Sequence, residues 1–162
     1  MTGALRVTVA APGFDDWRAV LTLLREAYAY MDGRIDPPSS LTRMDASALA
    51  AFAAAGDLIL AHDGGQLVGC AFCTPKNDVL YIGKVATAAS HRGRGVARAM
   101  MDEAAARARA RGLKALELQA RVELAEVHAA YAAMGFEKVG ETAHPGYDRP
   151  TSITMRRPME VS

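Results

Sequence analysis

From Val85 to Ala97 the chain reads Val-Ala-Thr-Ala-Ala-Ser-His-Arg-Gly-Arg-Gly-Val-Ala, and its flanks restrict what this stretch can be. Upstream, Val79 to Thr87 has the composition of a strand. Downstream, Ala97, Met100, Met101, Ala104, Ala105 and Ala108 recur at helical spacing until Gly112 stops the helix near Arg111. A strand end, a glycine turn and a helix start therefore follow one another directly. Unpaired backbone N–H groups and the positive end of the helix dipole then converge on one spot, the arrangement that holds a pyrophosphate. Gly93 and Gly95 let the backbone approach an anion, and Arg92 and Arg94 add positive charge. A tight turn with glycines for geometry alone is the plainer alternative. A P-loop would need a Lys and a hydroxyl that are absent, and a dinucleotide fingerprint would need a third glycine where Arg98 stands.

The elements around this unit follow from periodicity. Leu5, Val7 and Val9 alternate with polar residues as a half-buried strand. Trp17, Val20, Leu21, Leu24, Tyr28 and Met31 form one long helical stripe, which Asp15 or Asp16 is placed to cap. Asp32 to Ser40 has no period and reads as a loop, a connector or a lid facing a substrate. An alanine-rich helix runs from about Leu41 to Ala55 and ends at Gly56. Leu58–Ala61, Leu67–Thr74 and Val79–Thr87, joined by short turns, make an antiparallel meander. After the Ala97–Arg111 helix come a strand around Leu116–Leu118, able to lie parallel to its predecessor, a helix from Val122 to Met134, and strands near Phe136–Glu141 and Ser152–Arg157. The order is β-α-α-β-β-β-α-β-α-β-β, an α/β (α+β) fold expected to form one domain over residues 1–162.

Charge excludes some functions. Nineteen Lys+Arg against 18 Asp+Glu leave a net charge of +1, so no global field favours nucleic acid or an anionic membrane. No apolar run is long enough for a membrane span, and Met1–Val7 lacks the apolar core of a signal peptide, so a cytoplasmic location is expected. Cys70 and Cys73 spell C-x-x-C, but strand residues three apart point to opposite faces and no second ligand pair exists. No metal site is expected.

Arg92-Gly93-Arg94-Gly95-Val96-Ala97 resembles the Q/R-x-x-G-x-G/A motif of the GNAT N-acetyltransferase superfamily, and Ala130-Tyr131-Ala132-Ala133-Met134-Gly135-Phe136 is similar to its x-Y-x-x-x-G-F signature. The likeness extends to the element order. It implies a GNAT-like fold, a central mixed, mostly antiparallel seven-stranded sheet flanked by four helices, with acetyl-CoA as cosubstrate and no metal. It further implies that Arg92, Gly93, Arg94, Gly95, Val96 and Ala97 hold the CoA pyrophosphate. The preceding strand, at Val85, Ala86 and Thr87, would be splayed from its neighbour by a bulge, its backbone pairing with the pantetheine arm. Tyr131 becomes the expected general acid, although Leu124, Val127, Tyr131 and Met134 also make one helical stripe and the ring could be core. Leu124 stands where the family often has Asn.

A phenol of pKa about 10 can donate to a thiolate near 8.5, whereas an alkyl amine of about 10.4 must first lose a proton. Glu117, His128, Asp78 and His144 are the candidate acceptors, with Glu117 chosen as the catalytic one. The loops at Arg34–Ser40 and His144–Ser152 are expected to border the acceptor cleft. A small-molecule amine is the expected partner, with a homodimer compatible with the family. A protein N-terminus, a lysine, an aminoacyl group on RNA, a non-catalytic acyl-CoA sensor and an interaction domain remain open.

Overall fold

The computed structural model describes residues 5–39 and 44–159. Its elements are β1 (Leu5–Val9), α1 (Trp17–Tyr28), α2 (Ala46–Ala54), β2 (Asp57–Asp63), β3 (Gln66–Lys76), β4 (Val79–Thr87), α3 (Val96–Ala110), β5 (Ala115–Arg121), α4 (Ala125–Ala133), β6 (Glu137–Thr142) and β7 (Ser152–Pro158), with 3-10 turns at Ala29–Met31 and Ala89–His91. All seven strands join one sheet in the order β1-β2-β3-β4-β5-β7-β6. Only β4 and β5 pair in parallel, because α3 crosses over between them while the other neighbours are antiparallel.

Each face of the sheet carries its own core. On one side α3 lays Met100, Met101, Ala104, Ala105 and Ala108 against Ile59, Ala71, Leu80 and Leu116. Its alanines let the helix axis approach closely, and Gly69 of β3 extends this, since a Cβ there would come within 2.8 Å of Val96 Cγ1. On the other side Val20, Leu23 and Leu24 of α1 and Leu49 of α2 cover Leu58, Leu60 and Phe72. Each such side chain contributes about 1.5–3 kcal/mol on burial. Cys70 belongs to the α1 face and Cys73 to the α3 face, both as buried free thiols. Burial pushes each thiol up to about 12.

The structure adjusts three boundaries. The alanine-rich helix begins at Ala46, where Asp45 Oδ1 accepts from the Ala48 N–H at 2.9 Å; the expected start at Leu41 lies outside the described residues. The first helix gives way to a 3-10 turn after Tyr28, so Met31 ends a tighter coil. The last helix starts at Ala125 rather than Val122, because the Val122 N–H donates to Thr151 O and Arg121–Leu124 forms a turn. Among the described residues no helix is long and apolar enough to cross a membrane.

Candidate active site

The site begins with a departure from regular pairing. Strands β4 and β5 share three rungs, Val79–Ala115, Leu80–Leu116 and Tyr81–Glu117, and then separate. A bulge in β4 drives the separation: Cys70 of β3 faces Ala86 while Phe72 faces Gly83, so two steps on β3 oppose three on β4. The extra residue bends the strand and increases its twist. Lys84 takes the strain with φ of 50°, a left-handed conformation that costs a residue with a Cβ about 1 kcal/mol or more. Its carbonyl accepts from the Cys70 thiol at 3.7 Å, and its ammonium lies 4.0 Å from the Phe52 ring centroid. Partial burial lowers the Lys84 pKa.

The fork opens into a cavity of about 570 Å³. Val85, Ala86 and Thr87 of β4 form one wall and Gln119, Ala120 and Arg121 of β5 another. The end of α1 with its 3-10 turn contributes Ala27, Tyr28, Tyr30 and Met31, and α4 contributes Val127, Ala130, Tyr131 and Met134. Most of the lining is apolar carbon with a few convergent polar groups, the usual character of a small-molecule site.

At one end of the fork lies the glycine turn. The Ala88 N–H donates to Val68 O at 2.8 Å, and His91 bridges Asp63 Oδ2 at 2.8 Å and Ser90 Oγ at 2.7 Å, which ties the turn to β2 and β3. Gly93 and Gly95 have φ of 75° and 82°, so both need a residue that tolerates the left-handed region. A Cβ at either would meet nothing within 4 Å, leaving open space above them. Gly95 is the N-cap of α3 without a side-chain capping bond, so the first helical N–H groups are free for an anion.

Arg92 behaves differently from its neighbours. Its Nη2 donates to Ala27 O at 3.2 Å and its guanidinium lies 5.2 Å from the Tyr30 ring centroid, so the side chain reaches across the cavity to α1. Arg94 is exposed on the turn.

Tyr131 stands on the α4 wall, its ring edge-on to Phe136 at 5.6 Å. Burial, with a smaller contribution from Tyr30, raises its pKa. Tyr28 is raised well above its ordinary value by burial and then by Tyr131.

Beyond Tyr30, whose ring also lies 5.6 Å from the Arg34 guanidinium, the chain from Arg34 to Ser39 straps across the β5–α4 junction. Arg34 grips Glu126 through two bonds of 2.6 and 3.0 Å, which lowers the Glu126 pKa. The Asp36 carboxylate accepts from Tyr147 Oη at 2.6 Å and from Arg149 at 3.1 Å, while the Asp36 N–H donates to Glu123 Oε2 at 3.0 Å. The two loops expected at the acceptor cleft are thus fastened to each other.

Sequence comparison now bears on this geometry. The family model described as Acetyltransferase (GNAT) family matches residues 17–136, from the first residue of α1 past the glycine turn and Tyr131 to Phe136. The chain belongs to the GNAT acetyltransferase family. Among solved structures, the ribosomal-protein-S18-alanine N-acetyltransferase of Escherichia coli is 18% identical with a TM-score of 0.73, over 98% of this chain and 96% of that one. Ard1 from Thermoplasma volcanium gives 16% and 0.76 over 98% and 99%, and a nourseothricin acetyltransferase 24% and 0.72 over 97% and 99%. At these identities the likeness shows the fold. Among curated proteins no sequence matches.

In this GNAT chain the structure brings Val85, Ala86, Thr87, Arg92, Ala97 and Tyr131 to one cavity. It does not bring Glu117 there. That carboxylate sits in the three-rung section before the fork, held by Arg156 at 2.7 Å. Gln119, two residues further along β5 and so on the same strand face, is the side chain that reaches the cavity beyond the last rung. The other suggested proton acceptors are also engaged elsewhere: His128 Nε2 with Arg121 O at 2.7 Å, Asp78 with Lys114 at 3.8 Å, and His144 with the Thr151 hydroxyl. Leu124 is buried at the N-cap of α4 and lines the cavity. Sequence reasoning missed Tyr28, Tyr30, Arg121 and Glu126 as wall residues. Tyr28 had been seen only as part of a helical stripe, and no spacing rule marks the other three.

Proposed function

We propose that the protein transfers the acetyl group of acetyl-CoA to a primary amine, acting in the cytoplasm on a small molecule. The observation that carries this reading is the fork itself. One cavity runs from the glycine turn at Arg92 and Ala97, along a β4 edge that β5 leaves unpaired after Tyr81, to a tyrosine. Such an edge accepts an extended amide-bearing arm as an added strand, which suits pantetheine. Gly93 to Ala97 would hold the pyrophosphate through backbone N–H groups, with Val85 and Thr87 along the arm.

In this reading the amine nitrogen attacks the thioester carbonyl directly. The C–N bond forms, the C–S bond breaks, and the ammonium proton passes to solvent while the thiolate is protonated. Burial keeps the Tyr131 phenol protonated throughout the neutral range. With its pKa raised above the ordinary value of about 10, full transfer to a thiolate near 8.5 is uphill, so Tyr131 acts by donating a hydrogen bond to the departing sulfur. Among the described lining residues Glu126 is the one carboxylate, and Arg34 keeps it ionised and weakly basic. The amine therefore enters as its free base, and the fork supplies position and dipoles rather than a strong base.

Similar structures include an enzyme named for a ribosomal-protein alanine and one named for nourseothricin, so proteins of this fold serve both macromolecular and small acceptors. Ile35 and Ser39 of the strap line the cavity wall, and a cavity of about 570 Å³ suits a small amine. Calorimetric titration with acetyl-CoA and CoA tests the reading, comparing wild type with an Arg92→Ala/Gly95→Asp double variant. Micromolar-range binding by wild type alone supports it; no binding by either protein overturns it.

A further inference from the structure

Two guanidinium groups line the cavity without a carboxylate partner among the described residues, Arg92 beside the glycine turn and Arg121 at the end of β5. Among the described residues, Arg34 is matched by Glu126 and Arg149 by Asp36. Arg121 is not. Its Nη2 donates to Pro38 O over a long 3.4 Å, and its Nη1 is buried with no hydrogen-bond acceptor. Glu123 is the nearby acid, but one of its oxygens takes the Asp36 N–H and the other is itself buried without a partner. Burial lowers the Arg121 pKa, with only partial offset from Glu123, Tyr147 and Asp36. A partly exposed guanidinium whose Nη1 is buried without an acceptor carries a cost at that atom, which an incoming oxygen anion recovers.

We propose that Arg121 anchors a carboxylate on the acceptor, so that the preferred substrates are amines that also carry a carboxylate, as amino acids do. The inference rests on the acetyltransferase reading and makes Arg121 a specificity-determining residue. Arg121 and Tyr131 share one cavity whose wall also includes Met31, Ile35 and Leu124, apolar side chains that suit a short apolar body. Glu126 does not oppose the anion, because Arg34 already neutralises it. The fork geometry of arginine binds a carboxylate through two parallel bonds, which a lysine matches only as a point charge.

The test uses acceptor trios on leucine, phenylalanine and lysine scaffolds: the amino acid, its amide, and the decarboxylated amine. kcat/KM is compared per unit of free-base amine by following thiol release. The acid is expected to exceed both neutral forms by roughly 10- to 100-fold. In Arg121→Met this ratio falls towards one, and Arg121→Lys restores part of it. Acetyl-CoA affinity and thermal melting of both variants serve as the folding control. Equal use of acid, amide and amine overturns the proposal, as does a preference for the acid that survives Arg121→Met. Turnover of no trio by a wild type that binds acetyl-CoA overturns it too. Failure to bind acetyl-CoA defeats the underlying acetyltransferase reading separately.

Discussion

Near the glycine turn, the groups offered to a ligand belong to the backbone: the N–H groups at the start of α3 and the unpaired edge of β4. At the other end they are side chains on three separate segments, Arg34 and Asp36 on the strap, Arg121 and Glu126 at the β5–α4 junction, and Tyr147 and Arg149 between β6 and β7. A backbone cradle is rigid because sheet and helix hold it, and it tolerates no change in glycine φ. A web of exposed ion pairs is adjustable, because solvent and salt screen each pair. The first arrangement suits an invariant cosubstrate and the second a variable acceptor.

The largest effect that separates the two ends is expected for Gly95→Asp. It puts a residue with a Cβ at φ of 82° and a carboxylate where the pyrophosphate is proposed to sit. Acetyl-CoA affinity measured by calorimetry should fall by more than about 100-fold, or roughly 3 kcal/mol. A loss of less than tenfold would mean that the turn does not hold the pyrophosphate.

Tyr131→Phe should lower kcat by roughly 10- to 100-fold while leaving acetyl-CoA affinity within about threefold, the pattern of a contact made mainly in the transition state. An unchanged kcat would return Tyr131 to the core stripe. Gly69→Ala tests how far the cradle depends on packing, since its Cβ would press on Val96 at 2.8 Å just inside the start of α3. Destabilisation by about 1–2 kcal/mol in urea unfolding is expected.

That dependence on backbone also explains what could be read from residues alone. Gly93 and Gly95, the alanine face of α3 and the alternation in the strands each have a local cause, so strand order, crossover and turn were legible. The strap was not, because Asp36 meets Tyr147 and Arg149 across more than a hundred residues and no local rule links them. Glu117 lies outside the cavity because of where β4 and β5 part. It shares a strand face with Gln119, but the last rung falls at Tyr81–Glu117, and no periodicity in the sequence marks where that pairing stops. The bulge at Lys84 was expected only through family likeness, since nothing in Ile-Gly-Lys-Val demands it.

Smaller effects are expected at the acceptor end. Asp36→Ala cuts the tie between the two loops, yet its partners are surface groups. Acceptor KM should rise by less than about threefold with kcat unchanged, and a larger loss would show that the strap is as rigid as the turn.

The smallest effect concerns His144, whose pKa is lowered first by burial and then by Arg121. A depressed histidine stabilises the fold above its unfolded pKa of about 6.5 and loses that contribution as pH falls through the lower folded value. The urea midpoint should therefore drop slightly more between pH 7 and pH 5 in wild type than in His144→Asn. Equal drops would remove His144 from the account.

The three rungs that join β4 to β5 make the sheet two half-sheets fastened along a short seam. A cosubstrate lying along β4 would finish a ladder that the chain leaves incomplete, which makes it part of the secondary structure while it is bound. Amide protons along the open edge from Ile82 to Thr87 should then exchange quickly in the free protein and slow sharply with CoA present, while those in β2 and β3 scarcely change. The departing product must unzip the same ladder, so the step that frees the enzyme for its next cycle resembles the fraying of an edge strand.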